Sequence, residues 1–427
     1  MTALLHVALR SALNRRGTLA LVMLSIALAT ALLLGLERLR TDIRSSFSQS
    51  VSGTDLVVGA RTSPVQLMLL AVFRVGGATH NMRMDSVRAI AQHRAVAWTV
   101  PLSLGDSHRG RPVLGTTPAY LEHFAYGDQH KLVLAQGRAF AGTLDGLYEA
   151  VIGAELAQSL GYRLGQKITL SHGNAEVLAQ EHADKPFTVV GVLASTGTPV
   201  DRTVHVSLQA IEAIHLDWAG GAPQPASAGL KIAPEFARKF DLEPQQVTAA
   251  LVGLKNRVAV FNVQRFVAGY EGEALLAVLP GVALDELWAV VGPGEQALLA
   301  ISGLVAVVSL ASLVAVVLAG LNERRRELAV LRAVGAGPRH VLWLLATEGA
   351  LVTLAGALLG ALAAALAVLL AGPALQQQFG ITLLLSAPTA AQWGLFAAVL
   401  AAGMLASLVP GWRAYRLSLA DGLSPRT

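Results

Sequence analysis

Long runs without any charged residue constrain this 427-residue chain more than any other feature. No Asp, Glu, Lys or Arg occurs from Gly17 to Leu36, from Gln296 to Asn322, or from Gly349 to Trp412. A helix of about 20 apolar residues crosses a bilayer core about 30 Å thick. Gly372-Pro373 and Pro388 interrupt the third run, so it predicts two helices joined by a short loop. The sequence therefore predicts an α-helical membrane protein with four transmembrane helices.

The remaining composition agrees with a membrane protein. Hydrophobic residues make up 53% of the chain, and the formal net charge is +5. In a soluble protein this charge would suggest nucleic-acid binding, but here the arginines cluster beside the predicted spans, where they set orientation. We therefore expect contact with membrane lipid and no nucleic-acid partner. The chain has no cysteine, which excludes disulfides and thiolate sites.

The arginines beside the spans also predict the orientation in the membrane. Basic residues precede the first span, follow the fourth, and lie between the second and third, whereas the loop between the third and fourth has none. Cytoplasmic loops carry an excess of Lys and Arg, so both termini are predicted to be cytoplasmic. Arg38, Arg40 and Arg44 follow the first span, but they begin a long domain, and long domains translocate largely regardless of charge.

These spans divide the chain into nine predicted segments, with a mixed α/β periplasmic domain inserted between helices 1 and 2. In chain order they are an amphipathic interfacial helix at 1–16, a span at 17–37, a periplasmic domain with helical stalks at 38–290, a span at 296–321, a cytoplasmic loop at 322–340, a span at 341–371, a periplasmic loop at 372–388, a span at 389–412 and a tail at 413–427.

The α/β character of the large domain follows from short β-branched runs bounded by Gly, Pro or Asp. These runs are "AVAWTVPLSL", "KITL", "FTVVGVL" and "TVHVSL". Residues 149–161 have apolar residues near helical spacing and end at Gly161, which predicts a helix. From about Glu243 to Val290 apolar residues return at helical intervals, which predicts a second helical stalk.

The densest basic segment, "NERRRELAVLRAVGAGPRHV" at 322–341, lies between two apolar runs. Leu328, Leu331 and Val334 form one stripe on a short helix that Gly335 can end. Physical reasoning leaves two roles open. The helix either docks into a groove on another protein, or lies on anionic lipid headgroups as a positive-inside anchor.

Several segments resemble the MacB/FtsX-type permeases, the membrane subunits of type VII ABC transporters. "ERRRELAVLRAVGAGPRHVLWLLATEGALVTLAGALLGALAA" is similar to the family signature, and "PGWRAYRLSLADGLSP" to its C-terminal tail. "QGRAFAGTLDGLYEAVIGAELAQSLGYRLGQKITL" and "FTVVGVLASTGTPVDRTVHVSL" resemble the periplasmic core domain. In this order and spacing, the similar segments cover nearly the whole chain.

The resemblance implies that the basic segment holds a cytoplasmic coupling helix that presses on an ABC ATPase dimer. The docking residues would be Glu323, Arg324, Arg325, Arg326, Glu327, Leu328, Leu331, Arg332, Val334 and Gly335. No lysine follows a glycine, so a Walker A motif is absent and ATP with Mg²⁺ would be bound by the partner. This chain is thus expected to be a permease rather than an enzyme, with no cofactor of its own.

The resemblance further implies that two permease copies convert ATP-driven closure into motion of the periplasmic domains. A periplasmic adaptor, lipoprotein or substrate-binding protein is then a possible partner. Transport or export of an envelope substrate is the expected role. The alternatives are mechanical regulation of cell-wall hydrolases and sensing of envelope stress, and no residue pattern separates them from transport.

Three further residues stand out in the third predicted span. Glu348 is a carboxylate within a helix that enters the bilayer, which makes it a functional candidate. It resembles a recurrent Glu of the family and is expected to pair with arginines of the coupling segment. Gly356 and Gly360 form a G-x-x-x-G that favours close helix packing, although generic packing of small residues explains it equally well.

The histidines of the external domain show no metal-ligand spacing and no H-E-x-x-H motif. We therefore expect scattered surface histidines and no metal site. No Ser/His/Asp arrangement and no GxSxG motif occurs, so the sequence predicts no catalytic residue.

Overall fold

The computed structural model is described for most of the chain. The described residues are 16–50, 52–77, 80–172, 180–216, 218–219, 222–223, 232–323, 335–379 and 387–416.

Four long apolar helices and a set of short ones account for the helical structure of the described residues. They are α1 Arg16–Gln49, α2 Pro64–Ala71, α3 Met84–Ala91, α4 Ala119–His123, α5 Ala154–Leu160, α6 Leu208–His215, α7 Pro234–Ala237, α8 Val260–Ala268, α9 Pro280–Glu323, α10 Pro338–Phe379 and α11 Ala390–Arg416.

The helices α1, α9, α10 and α11 are long and apolar enough to cross a membrane, which confirms the four predicted candidate spans. Their apolar segments cover Arg16–Phe47, Pro280–Ala319, Arg339–Ala374 and Ala390–Val409. At 1.5 Å per residue, the 44 residues of α9 extend about 66 Å, roughly twice the bilayer core.

The chain separates into two compact units. One consists of Met1–Ile43 together with Val291–Thr427, and the other of Arg44–Val290. The first unit contains most of each of the four apolar segments, and the second contains the strands, the short helices and the remaining ends of α1 and α9.

The strands of the second unit have these bounds: β1 Leu56–Ala60, β2 Met82–Arg83, β3 Val96–His108, β4 Arg111–Thr116, β5 Ala125–Tyr126, β6 His130–Lys131, β7 Leu134–Gly137, β8 Glu149–Ile152, β9 Lys167–Ile168, β10 Ser171–His172, β11 Gln180–Glu181, β12 Phe187–Leu193, β13 Val204–Ser207, β14 Trp218–Ala219, β15 Ala222–Pro223, β16 Gln246–Val247, β17 Ala249–Leu254 and β18 Leu275–Val278.

Most of these strands form one mixed sheet in the order β18-β1-β17-β3-β4-β13-β8-β12-β7. The pairs β4–β13 and β8–β12 are parallel, and the other neighbours in this order are antiparallel. Strand β10 pairs with β3 and β11, and β9 pairs with β12. The sheet and its flanking helices confirm a mixed α/β domain.

The long strand β3 carries an irregularity that is important for the chemistry below. Its pairing register with β4 shifts between Leu104 and Ser107, and Gly105 has φ 148°, which side chains other than glycine rarely adopt. Bulges of this kind re-aim the side chains that follow. Asp106, Ser107 and His108 are consequently all buried in succession, against the usual alternation of a strand.

Three sequence expectations about element bounds are wrong in part. The region predicted as a helical stalk from Glu243 contains β16, β17, α8 and β18, and its helix begins only at Pro280. Residues 149–161 are a strand followed by a helix, and only Ala154–Leu160 is helical. Both regions hold short, buried apolar runs, which periodicity alone cannot assign to strand or helix.

The third discrepancy concerns the loop predicted at 372–388. Helix α10 continues through Gly372 and Pro373 and ends at Phe379. Proline is tolerated inside long apolar helices because neighbouring groups satisfy the freed backbone carbonyl. The interruption at Gly372-Pro373 therefore does not end the helix.

Candidate functional site

Most of the predicted coupling segment lies outside the described residues, and only its two ends are visible. Glu323 is the last residue of α9, and Gly335 has φ 105°, a left-handed conformation that suits glycine. Pro338 begins α10, where its missing N–H has no helical partner to lose. The predicted docking residues outside the described part are Arg324, Arg325, Arg326, Glu327, Leu328, Leu331, Arg332 and Val334.

The glycines of α10 lie against α1 at very short range. A Cβ added to Gly356 would lie 2.9 Å from the Cβ of Ile26. One added to Gly360 would lie 2.5 Å from the carbonyl oxygen of Ala27 and 2.6 Å from the Cβ of Thr30. These contacts are closer than a side chain permits, so the two glycines allow the α1 and α10 backbones to approach.

Hydroxyl groups add polar contacts between the long helices. Ser309 of α9 donates from Oγ to the carbonyl oxygen of Ser25 in α1, at 3.2 Å. Ser407 of α11 donates to the carbonyl oxygen of Ala346 in α10, at 3.3 Å. Glu348, two residues after Ala346 in α10, is only 6% exposed, so its carboxylate is placed inside the helical unit.

Ion pairs connect α1 and α9 beyond their most apolar parts. Arg40 Nε donates to Glu295 Oε2 at 3.0 Å, and Arg40 Nη1 donates to Glu37 Oε2 at 3.3 Å. Arg38 Nε donates to Asp42 Oδ2 at 2.8 Å along α1. Because these groups are largely shielded from solvent, their attraction is screened less than that of an exposed pair. The Arg40–Glu295 pair holds one turn of α1 beside one turn of α9, and the other two pairs lie within α1.

Aromatic side chains at the ends of α1 and α9 pack into the core of the α/β unit, at what we call the stalk junction: Arg44, Phe47, Phe73 and Trp288. The Phe47 ring stacks on Phe73 with centroids 4.3 Å apart and meets the edge of Trp288 at 5.7 Å. The Arg44 guanidinium lies over the Trp288 ring, 5.0 Å from its centroid. Phe73 belongs to the main buried cluster of the unit.

A half-buried arginine fixes the segment that carries Phe73. Arg74 has φ 61°, unusual for a residue with a side chain, and its guanidinium donates to the Tyr120 hydroxyl at 3.3 Å and to the Ala71 carbonyl. Burial lowers the pKa of Arg74 and raises that of Tyr120. A positive φ at a half-buried residue with a side chain is kept only where surrounding contacts determine it, so the hydrogen bonds of Arg74 hold the segment next to Phe73 in place.

The expectation of surface histidines is wrong for His108, His182 and His205, which are all buried. His108 bonds Thr169 O at 2.6 Å and Tyr162 Oη at 2.7 Å, so its ring is held by local hydrogen bonds. Burial and the charge of Arg74 lower the pKa of His205 to about 3, so it is neutral at neutral pH. Sequence spacing missed these positions because the sheet, rather than a helix, places them.

Together the two units define a membrane permease with a periplasmic-type α/β domain. Residues 18–235 match the MacB-like periplasmic core domain, and residues 299–419 match the FtsX-like permease C-terminal domain. The first match alone covers just over half of the chain. The chain belongs to the MacB/FtsX family of ABC transporter permeases, whose members work with an ABC ATPase partner.

Two solved structures are similar to the α/β region. One is the periplasmic region of MacB from Actinobacillus actinomycetemcomitans, at 10% identity and TM-score 0.34, covering 56% of this chain and 94% of that one. The other is the extracellular domain of the noncanonic ABC-type transporter YknZ from Gram-positive bacteria, at 14% identity and TM-score 0.31, covering 53% and 98%. No curated protein matches the sequence.

Proposed function

We propose that this chain is the permease subunit of an ABC transporter that couples ATP hydrolysis by a separate ATPase to movement of its α/β domain. In this proposal two copies assemble, both termini and the loop 322–340 are cytoplasmic, and the α/β domain is inserted in the periplasm between the first and second spans. The domain would act there on an envelope substrate, with an adaptor, lipoprotein or substrate-binding protein as a further partner.

The observation that carries this proposal is that α1 and α9 each link an apolar span to the stalk junction. Helix α1 runs unbroken from Arg16 to Gln49 and includes Phe47, and α9 begins before Trp288 and runs to Glu323. A continuous helix resists bending, because bending disturbs consecutive backbone hydrogen bonds, and in α9 only Pro293 interrupts them between Trp288 and Glu323. Force applied near Glu323 has a direct covalent path to the aromatic cluster at Trp288.

The first experiment tests ATPase docking through Leu331→Asp. Burial of a leucine contributes about 1.5–3 kcal/mol, and aspartate would place an unpaired charge in the groove. We expect the variant to insert normally and to lose its ATPase during purification. Ala329→Asp is the matched control, because residue 329 lies on the opposite side of the predicted helix. Undiminished co-purification with Leu331→Asp would contradict docking and favour lipid anchoring.

The second experiment tests transmission through the stalks. The chain has no cysteine, so Glu271→Cys gives one exposed labelling position per copy. We expect the label–label distance between two copies to change when the ATPase is trapped with ATP. Insertion of Gly-Gly between Ser45 and Ser46 should abolish that change while ATP hydrolysis continues. The same insertion between the exposed Gly76 and Gly77 serves as control. A distance change that survives the stalk insertion would contradict transmission.

A further inference from the structure

Three ionisable side chains from distant parts of the sequence meet at one edge of the α/β sheet. Strand β10 pairs antiparallel with β3 so that His172 lies directly opposite Asp106. Opposite residues on paired strands have Cβ atoms about 5 Å apart, within reach of a direct side-chain contact. The bulge at Gly105 turns the Asp106 side chain inward, where it is 5% exposed.

Helix α6 delivers the third side chain, His215, which is its last residue. Ser207 caps the start of this helix by accepting a hydrogen bond from the Ala210 N–H. The helix packs closely on the sheet, because Ile211 occupies the space where a side chain at Gly115 of β4 would lie. Since β4 neighbours β3, this contact sets where His215 stands relative to Asp106.

The tautomer of His215 follows from its own helix. Its Nδ1 lies 2.8 Å from the carbonyl oxygen of Ile211, which can only accept a hydrogen bond. Nδ1 therefore carries the hydrogen, and in the neutral ring Nε2 presents a lone pair towards Asp106 and His172. Histidines that bind metals commonly have this arrangement, with the second ring nitrogen donating to a backbone carbonyl.

The three facing atoms have the spacing of ligands around one small ion. The distances are 3.0 Å from Asp106 Oδ1 to His172 Nδ1, 3.5 Å from Asp106 Oδ1 to His215 Nε2, and 3.3 Å from His172 Nδ1 to His215 Nε2. Two ligands at about 2.1 Å from a tetrahedral zinc ion lie about 3.4 Å apart. The triangle therefore needs little rearrangement to hold such an ion.

The surroundings suit entry of an ion and offer a further imidazole. His172 is 44% exposed and His215 is 24% exposed, so the triangle opens to solvent. The buried His182 ring lies 5.1 Å from the His215 ring, edge to face.

We propose that Asp106, His172 and His215 form a binding site for a divalent transition-metal ion of the zinc class. Two imidazole nitrogens and one carboxylate oxygen are typical zinc ligands, whereas Ca²⁺ and Mg²⁺ favour sites made of oxygens. An ion there would connect β10 to the end of α6. This proposal replaces the expectation of no metal that sequence spacing suggested.

The test uses the full-length chain purified in detergent, with Zn²⁺ alone as the probe. Metal content after gel filtration gives the stoichiometry, and competition with a chromophoric chelator gives the affinity. We expect one Zn²⁺ per chain, and binding weakened at least about tenfold in His172→Ala, His215→Ala and Asp106→Asn. His80→Ala, which removes an exposed histidine of the same domain, should bind as the unaltered chain does. Ca²⁺ should not compete.

Hydrogen exchange of the same samples separates a specific site from loose binding and from misfolding. Zn²⁺ should slow exchange in β10 and at the end of α6, and Asp106→Asn should leave exchange in the central strand β17 unchanged. A Kd weaker than about 100 µM for the unaltered chain, or equal affinity in His172→Ala and His80→Ala, would overturn the proposal. The three groups would then form only a hydrogen-bonded network.

Discussion

The two units of this permease are packed in different ways. In the α/β unit the interior is filled by large side chains, and Tyr120, Phe140 and Phe187 are each at most 2% exposed. Between the long helices the closest contacts involve small residues instead, with Gly360 against Ala27 and Gly403 against Thr353. Burying apolar surface stabilises a domain in water, but lipid is as apolar as a leucine side chain. Helices in a bilayer therefore gain mainly from close contact between backbones.

The largest expected effect tests the first half of this comparison. Phe187 is fully buried in strand β12, so Phe187→Ala removes a ring and leaves a cavity. We expect a loss of about 4 kcal/mol from the free energy of unfolding of the α/β domain. Hydrogen exchange of domain peptides in the full chain measures it. Phe261→Ala, at a position 65% exposed, should change exchange little. Equal losses in Phe187→Ala and Phe261→Ala would contradict the conclusion that burial of large side chains stabilises this domain.

The second prediction concerns the helical unit, where adding volume should be harmful. In Gly360→Leu the new side chain would meet the backbone of α1, which cannot move aside as a flexible side chain can. We expect a cost of about 3 kcal/mol, seen as a lower Tm in detergent. Gly303→Leu is the control, because nothing lies within 4 Å of its added Cβ. If both variants have the same Tm, close approach at Gly360 is unimportant.

The third prediction uses pH to test how strongly the interior of the α/β unit excludes a charge. The pKa of His205 falls from 6.5 to about 3 on folding, so the unfolded chain takes up a proton first as the pH drops. The contribution of His205 to the free energy of unfolding is therefore most favourable above pH 6.5, and it is lost progressively as the pH falls towards 3. We expect the α/β domain to lose about 2 kcal/mol between pH 6.5 and 5. His205→Phe should remove this share of the loss and leave the share caused by His182, whose pKa is also lowered, whereas His80→Phe should change neither.

The smallest effect is expected from a hydroxyl between helices. Ser407→Ala removes a hydroxyl that is shared between the Met404 carbonyl of its own helix, at 2.7 Å, and the Ala346 carbonyl of α10, at 3.3 Å, and interhelical hydrogen bonds in membrane proteins contribute about 0.6 kcal/mol. We expect a small decrease in Tm in detergent, well below that of Gly360→Leu. Ser312→Ala is the control, since this exposed hydroxyl bonds only along its own helix among the contacts described. A large decrease for Ser407→Ala would mean that polar contacts dominate this unit.

Sequence reasoning succeeded where one short pattern decides the outcome. Uncharged runs located the four candidate helices, and β-branched runs located Val96–His108, Phe187–Leu193 and Val204–Ser207. It failed where partners are distant in sequence. His172 lies 66 residues from Asp106 and 43 from His215, so the strand pairing, the bulge and the packing of α6 on the sheet bring them together. Residue spacing finds sites on a single helix and misses sites assembled by a sheet.

The roles of the coupling segment and of Glu348 remain predictions. Their roles came from the family resemblance, because a basic amphipathic segment physically suits either a protein groove or a lipid surface. Glu348 is buried, which agrees with a specialised role, but all the expected arginine partners except Arg339 lie outside the described residues. Burial could not be derived from the sequence, since α10 is apolar on all sides.

Helix α9 has one position at which it bends more easily than elsewhere. Pro293 lies inside it with glycines on both sides, between Trp288 and Glu295. Proline has no N–H to offer the carbonyl of Ala289, and the glycines add no side chains that would resist rotation of the backbone. Bending stiffness is therefore lowest at 292–294, and a bending load on α9 concentrates there. Helix α1 has neither glycine nor proline from Leu36 to Gln49, so a bending load on it is spread along the helix instead of concentrating at one position.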